Sequence, residues 1–209
     1  MNTKGNFITV EGCEGVGKST QLRLLKDYFE REGIPAVFTR EPGGTPVAEK
    51  IRGVLLDKNL TMAPRIEAEL FAVSRMEHIN NLIKPSLEEG KVVVCDRYID
   101  SSLAYQGVAR NLGIDNVYEI NSYARDNCMP DLTIFIDMDP ANSWRKRNGT
   151  VILNDRMEGE SQEFHALCYK GFKEMCAREP ERIIAIVPDE DKNVTHRAII
   201  STLKEKGIV

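Results

Sequence analysis

The chain has 209 residues, 42% of them hydrophobic and 29% charged, with a formal net charge of −4 at pH 7. These values suit one globular α/β domain spanning residues 1–209, and the acidic balance argues against nucleic-acid or anionic-membrane partners, which require a basic excess. Apolar runs stay well short of the ~20 residues that span a bilayer, and the N-terminal residues carry no export signal, so a cytoplasmic protein is expected.

Asn6–Glu11 reads as a first strand, short and apolar as buried parallel strands are. Gly12-Cys-Glu-Gly-Val-Gly17-Lys18-Ser19 then matches G-x-x-x-x-G-K-[ST] in the strand-to-helix context that this motif requires. Glycines there let successive backbone N–H groups of Gly12, Cys13, Glu14, Gly15, Val16 and Gly17 line one anion-binding concavity. Lys18 is placed to reach the β/γ-phosphates, Ser19 to ligate Mg²⁺, and Thr20 to continue the loop into a helix whose N-terminus favours anions. The motif implies a bound nucleoside triphosphate with Mg²⁺.

The helix after the motif carries Leu22, Leu25 and Phe29 on one face and stops at Gly33. Strand two is Pro35–Thr39, and Arg40-Glu41-Pro-Gly-Gly44 makes a polar turn at its carboxyl end, where open α/β sheets hold ligands. A helix over Val47–Leu56 includes Arg52. A longer one runs from Pro64 towards Leu87, and it places Phe71 and Arg75 four apart on one face. Such a pair can stack a planar base and bond its edge, or it can be a core phenylalanine beside a solvated arginine.

Strand three, Lys91–Cys95, delivers Asp96-Arg97-Tyr98, and strand four, Leu132–Ile136, ends in Asp137. Either aspartate could serve Mg²⁺–phosphate chemistry, and only Asp96 has an adjacent arginine. Ser102 and Gln106 are four apart, and a helix is expected over about Asp115–Asn127. Pro140–Arg147 begins another helix, and arginines around Asn148–Asp155 suit a lid over about 145–158. Helices over Ser161–Arg178 and Thr195–Lys206 flank strand five, Ile183–Val187. Five strands alternating with helices give a doubly wound parallel sheet. The five cysteines share no C-x-x-C spacing, so core thiols are expected rather than a zinc site.

GTPase signatures D-x-x-G and N-K-x-D are absent, and the polar features at strand ends suit a second, base-bearing substrate. The P-loop, Arg40-Glu-Pro-Gly-Gly44, Leu70-Phe-Ala-Val-Ser-Arg75, Asp96–Gly107 and Asp155-Arg-Met-Glu158, in this order, resemble the thymidylate kinases of the bacterial type over nearly the whole chain. The resemblance implies a three-layer α/β/α P-loop nucleoside monophosphate kinase fold, with a five-stranded parallel sheet and helices on both faces. It also implies the reaction Mg·ATP + dTMP ⇌ ADP + dTDP and a homodimer.

By the same resemblance, Phe71 stacks on thymine, Arg75 bonds its exocyclic oxygen, and Ser102 and Gln106 read the edge near N3. Arg52 and Arg97 hold the monophosphate with Arg40 beside it, and Glu41 acts near the metal or acceptor. Glu14 bonds the deoxyribose 3′-hydroxyl, and Tyr105 crowds the 2′ position. Gly15 stands where the other subtype carries arginine, which passes the transition-state arginine to the lid, to Arg156 first and Arg147 second. Ser19 and Asp96 are the expected metal ligands. The rival readings are another nucleoside monophosphate or deoxynucleoside kinase, and a P-loop ATPase without an acceptor.

Overall fold

Five short runs rich in valine and isoleucine form the strands β1 Phe7–Glu11, β2 Ala36–Arg40, β3 Val92–Asp96, β4 Leu132–Ile136 and β5 Ile183–Ile186. The computed structural model describes residues 4–143 and 155–209. All strands pair in parallel, in the order β2-β3-β1-β4-β5. Every residue of β1 and β4 is buried, as a parallel strand covered on both faces must be, whereas the edge strand β2 is only half-buried. Register sets the working end of the sheet: Asp96 lies opposite Val10 on one side and Arg40 on the other. The carboxyl ends of β1, β2 and β3 therefore meet at one level, where the strand order reverses direction.

Helices fill both faces. On one, α1 (Lys18–Arg31) buries Gln21, Leu25 and Phe29 and packs against the C-terminal helix Lys192–Glu205. Towards the other lie α2 (Pro46–Leu56) and α3 (Pro64–His78), which pack together. No helix among the described residues is long and apolar enough to cross a membrane.

Three expected helices are interrupted, each for a local reason. The one from Pro64 becomes α3, a π-helical stretch Ile79–Ile83, and α4 (Lys84–Glu88). Pro85 has no N–H to continue the α-ladder, and the Lys84 N–H instead reaches the Ile79 carbonyl. The helix expected over about Asp115–Asn127 divides into α6 (Ile114–Ile120) and α7 (Ser122–Asn127) at Asn121, a buried residue with φ −92° and ψ 20°. Pro140–Asn142 is one 3-10 turn, capped where the Ala141 N–H donates to Asp139 Oδ1 at 2.7 Å, and the remainder of the helix expected to Arg147 lies outside the described residues.

The segment after β3 also departs from a simple helix. A single turn, α5 (Ile99–Ser102), opens into a π-helix over Leu103–Ala109. It packs closely on α8 (Gln162–Arg178), where Gly171 allows the approach. A Cβ at Gly171 would sit 2.9 Å from Ala104 Cα and 3.1 Å from Val108 Cγ2.

Glu11 ties the end of β1 to this segment. Its buried carboxylate accepts from the Tyr98 N–H at 2.7 Å, the Ser101 N–H at 3.3 Å and the Ser101 hydroxyl at 2.6 Å. Burial, and then the charge of Asp100, push its pKa up to about 7 against the pull of Arg97 and these hydrogen bonds.

Two outcomes are expected. Gly171→Ala gains about 1 kcal/mol of helix propensity, but it must push α8 off the Ala104 backbone at a cost of about 1–3 kcal/mol, so its urea midpoint should fall. For Glu11, the folded state keeps a proton that the unfolded chain, at the ordinary 4.5, has lost. Stability therefore falls as pH rises through that window to about 7. Measured against Glu11→Gln in urea at pH 5 and pH 8, the wild type should lose about 3 kcal/mol more. A difference that grew in the wild type's favour would contradict the assignment.

Candidate active site

The turn after β1 is shaped by glycines that adopt φ +148° at Gly12, +73° at Gly15 and +102° at Gly17. L-residues avoid these conformations, and Gly15 thus holds a position where an arginine would be strained. Lys18 folds back over the loop, its Nζ donating to the carbonyls of Gly12 and Cys13 at 3.0 and 3.1 Å. Cys13 and Val16 are buried in the core, so only their backbone N–H groups can serve an anion. Burial pushes the Cys13 thiol up to about 12, which leaves it inert. Ser19 is exposed and Thr20 half-buried on the first turn of α1.

Beside the loop lies a cavity of about 280 Å³. Glu14, Lys18 and Ser19 line it at the P-loop, and Phe71, Arg75, Ser102, Tyr105 and Gln106 line its far end. Arg40, Glu41, Arg52, Asp96 and Arg97 complete the lining. Residues chosen from six separate stretches of sequence thus share one wall. Pro42, Leu56 and Met157 add apolar surface, and Asp155 and Glu158 close the side.

Arg97 is the central cation. Its φ of +69°, in the left-handed region, turns the side chain off the strand and into the cavity. The guanidinium pairs with Glu14 of the P-loop, donates to Ser101 Oγ at 3.1 Å, and lies 5.1 Å from the centre of the Tyr105 ring. Burial works against its charge, but Tyr105, Glu14, Glu11 and Asp96 together hold it firmly protonated. Arg52 donates to the Pro42 carbonyl at 2.8 Å and lines the cavity. Burial and then the Arg40 charge lower its pKa. Tyr105 packs edge-on against Phe164 and Phe172, and its buried hydroxyl has no partner among the described residues.

Asp96 and Asp137 now separate. Asp96 is in the cavity wall, with Oδ1 buried and unbonded among the described residues. Asp137 accepts from Tyr169 Oη at 2.8 Å and Lys173 Nζ at 2.6 Å, and is not in the wall. No group of three or more histidine, cysteine or carboxylate side chains that could hold a metal occurs among the described residues. The Asp96 carboxylate with the Ser19 hydroxyl is an oxygen donor set that fits Mg²⁺, an ion that keeps several waters and takes one or two carboxylates with substrate phosphates.

Three of the expected site residues are held by protein partners of their own. Arg40 is exposed at the rim of the cavity, and its Nη2 bonds both carboxylate oxygens of Glu49 at 3.0 Å. Glu41 is clamped in the cavity wall, with Oε2 accepting from Arg75 Nε at 2.7 Å and Oε1 against His78 Nδ1 at 3.0 Å. Arg156 does not line the cavity. Its Nε donates to the Leu55 carbonyl at 2.9 Å and its Nη1 to Glu67 Oε2 at 2.7 Å, while its backbone N–H bonds the Leu56 carbonyl at 3.1 Å. Arg147 and the lid before Asp155 lie outside the described residues.

Arg75 proves to be a buried hub. Beyond Glu41 it donates to Ser102 Oγ at 3.1 Å, to Asn121 Oδ1, and to the Tyr98 carbonyl at 3.0 Å. Four of its five N–H groups are thereby used, and one remains for a ligand. Gln106 donates through Nε2 to Glu67 at 2.8 Å, leaving its Oε1 to face the cavity. Glu67, His78, Arg110 and Asn121 had no place in the sequence reading. Glu67 could have been found, since it precedes Phe71 and Arg75 at successive intervals of four on α3.

The family model for thymidylate kinase matches residues 10–199. A thymidylate kinase of Symbiobacterium thermophilum is 48% identical over 178 residues, covering 85% of this chain and 82% of that protein. One of Oceanobacillus iheyensis is 44% identical over 97% of this chain and 94% of its own length. The crystal structure of thymidylate kinase from Ehrlichia chaffeensis superposes with a TM-score of 0.79 at 34% identity, over 96% of this chain and 99% of that one. With the P-loop, the parallel sheet and the shared cavity already in hand, the match over residues 10–199 shows that this chain belongs to the thymidylate kinase family.

Proposed function

We propose that this cavity transfers the terminal phosphoryl group of ATP to dTMP, giving ADP and dTDP, the reaction of the family to which the chain belongs. The observation that carries this reading is that Lys18 and Ser19 of the P-loop open onto the same cavity as Phe71, Arg75 and Gln106. Donor phosphates at one end and a planar base at the other leave the acceptor phosphate between them, beside Arg52 and Arg97. An ATPase without an acceptor has no use for the far end.

In this reading Phe71 stacks on the base, Arg75 gives its remaining N–H to a ring oxygen, and Gln106 Oε1 accepts from the ring N3–H. Ser102 supports Arg75 from the same side. Tyr105 stands against the sugar, and Glu14 reaches its 3′-hydroxyl. Arg52 and Arg97 hold the acceptor phosphate, one oxygen of which attacks the γ-phosphorus as the bond to ADP breaks. That nucleophile is already ionised, so no strong base is required, and catalysis consists of positioning and charge stabilisation. Lys18 is in place for the β- and γ-oxygens. Mg²⁺, held through Ser19 and Asp96, would supply further neutralisation of the phosphates. Arg156 we assign to anchoring the Asp155–Glu158 wall on α2 and Glu67, and the transition-state charge to Arg97 together with the lid.

A homodimer is proposed on the strength of exposed Val47 and Val54 on α2 and Ile66, Val73 and Met76 on α3, apolar side chains on two helices that pack together. We place the reaction in the cytoplasm, where both nucleotides are supplied.

Steady-state assays with ATP across monophosphate acceptors should rank dTMP well above AMP, CMP and GMP, and a preference for AMP would reject the base assignments. Arg97→Ala should lower kcat by on the order of 10³-fold. Arg156→Ala should act mainly on the KM for dTMP. A kcat loss in Arg156→Ala as deep as that in Arg97→Ala would return Arg156 to the reacting phosphate.

A further inference from the structure

Under the far end of the cavity lies an ion cluster that the phosphate chemistry does not use. Its centre is Glu67, which is 1% exposed. Oε1 accepts from Gln106 Nε2 at 2.8 Å and Arg110 Nε at 3.2 Å, and Oε2 from Arg110 Nη2 at 3.1 Å and Arg156 Nη1 at 2.7 Å. Arg110 is itself held by Glu160 and stacked on the Phe164 ring, 4.5 Å from its centre. Burial would favour a neutral Glu67, but the bonds from Gln106, Arg110 and Arg156 outweigh it and hold the carboxyl below its ordinary value.

An ionised carboxylate can only accept hydrogen bonds. The Gln106 amide must therefore turn its nitrogen towards Glu67, which leaves the oxygen for the cavity. An amide without such a partner could turn over, since its two ends have nearly the same shape. Orientation matters to the base. Thymine presents an N3–H donor at this edge, and a facing oxygen accepts it. Cytosine presents a bare N3 acceptor, and a facing oxygen would leave two lone pairs opposed and a buried group unsatisfied.

We propose that Glu67 is a positioning residue that sets base specificity by locking the Gln106 amide with its oxygen towards the substrate, a role that rests on reading the far end of the cavity as the base site. Glu67 touches no substrate. It selects bases with a protonated N3 through Gln106, the side chain that meets N3, and the two arginines keep it in the state that can do so.

The experiment compares kcat/KM for dTMP and dCMP in wild type, Glu67→Gln and the exchange variant Glu67→Gln/Gln106→Glu. A carboxamide at position 67 can donate as well as accept, so the amide at 106 is free to turn. The dTMP-to-dCMP ratio should fall by on the order of 10-fold in the single variant. In the exchange variant a carboxylate at position 106 can again only accept, and the ratio should recover even if overall activity does not. A merely structural role would not be rescued in this way. Should Glu67→Gln fail to fold by circular dichroism, Glu67→Asp takes its place: it retains an anion for Arg110 and Arg156 but withdraws it from Gln106, and the same fall is expected. An unchanged ratio in the folded single variant, or no recovery in the exchange, would overturn the proposal while dTMP remains a good substrate of the wild type. A wild type inactive on dTMP would overturn the reading of the cavity, and this proposal with it.

Discussion

A guanidinium taken out of water must be met by acceptors on every side, and Arg75, 2% exposed, imposes that demand at the centre of the molecule. Its partners come from the end of β2 (Glu41), from the turn and helix after β3 (the Tyr98 carbonyl and Ser102), and from the break between α6 and α7 (Asn121). The Tyr98 ring supplies a face 5.1 Å from the guanidinium carbon. Glu41 passes the constraint to His78, whose Nε2 meets Thr39 Oγ1 at 2.8 Å. Gly44 completes the enclosure, because a Cβ there would fall 2.5 Å from His78 Nε2. Removing Glu41 would strand the buried Arg75 charge, typically at a cost of about 3–5 kcal/mol. The part of the cavity wall that Arg75 lines is therefore held as rigidly as the core beneath it.

That rigidity explains which features could be read in advance. The sheet was legible because buried parallel strands are short β-branched runs bounded by turns, and Phe7–Glu11, Val92–Asp96 and Leu132–Ile136 have that form. The P-loop was legible because its chemistry fixes residue types at fixed spacing. Residues around the cavity were legible as a set, on the strength of a family likeness, but less so in their individual partners. An arginine looks the same in sequence whether it faces a phosphate or a carboxylate, and the partner that decides the matter for Arg156 is Glu67, 89 residues away along the chain. Arg40 is similar, its direction set by Glu49 on the following helix. Glu41 was placed near the metal or acceptor by the family likeness, and each of its two oxygens is met by a side chain of α3.

Charge in the cavity wall is balanced on a body of net charge −4: Lys18, Arg40, Arg52, Arg75 and Arg97 line it beside Glu14, Glu41, Asp96, Asp155 and Glu158. Arg75 is balanced by Glu41, Arg97 by Glu14 and Arg40 by Glu49. Paired charges of this kind cancel beyond the ~8 Å Debye length of physiological salt. Anion recognition must then come from geometry, the directed N–H groups of the loop and of Arg52 and Arg97, rather than from an attracting field. The Glu14–Arg97 pair also joins the donor loop to the acceptor side, so neither half of the cavity can be altered without the other responding.

The π-helical Leu103–Ala109 segment ties length to angle. In an α-helix each residue turns the chain by about 100°. Loss of one residue ahead of Gln106, relaxing the segment to an ordinary helix, would rotate the amide away from the cavity while leaving the surrounding side chains unchanged. Substitution can therefore retune this site by degrees, whereas a single-residue deletion there would dismantle it at once.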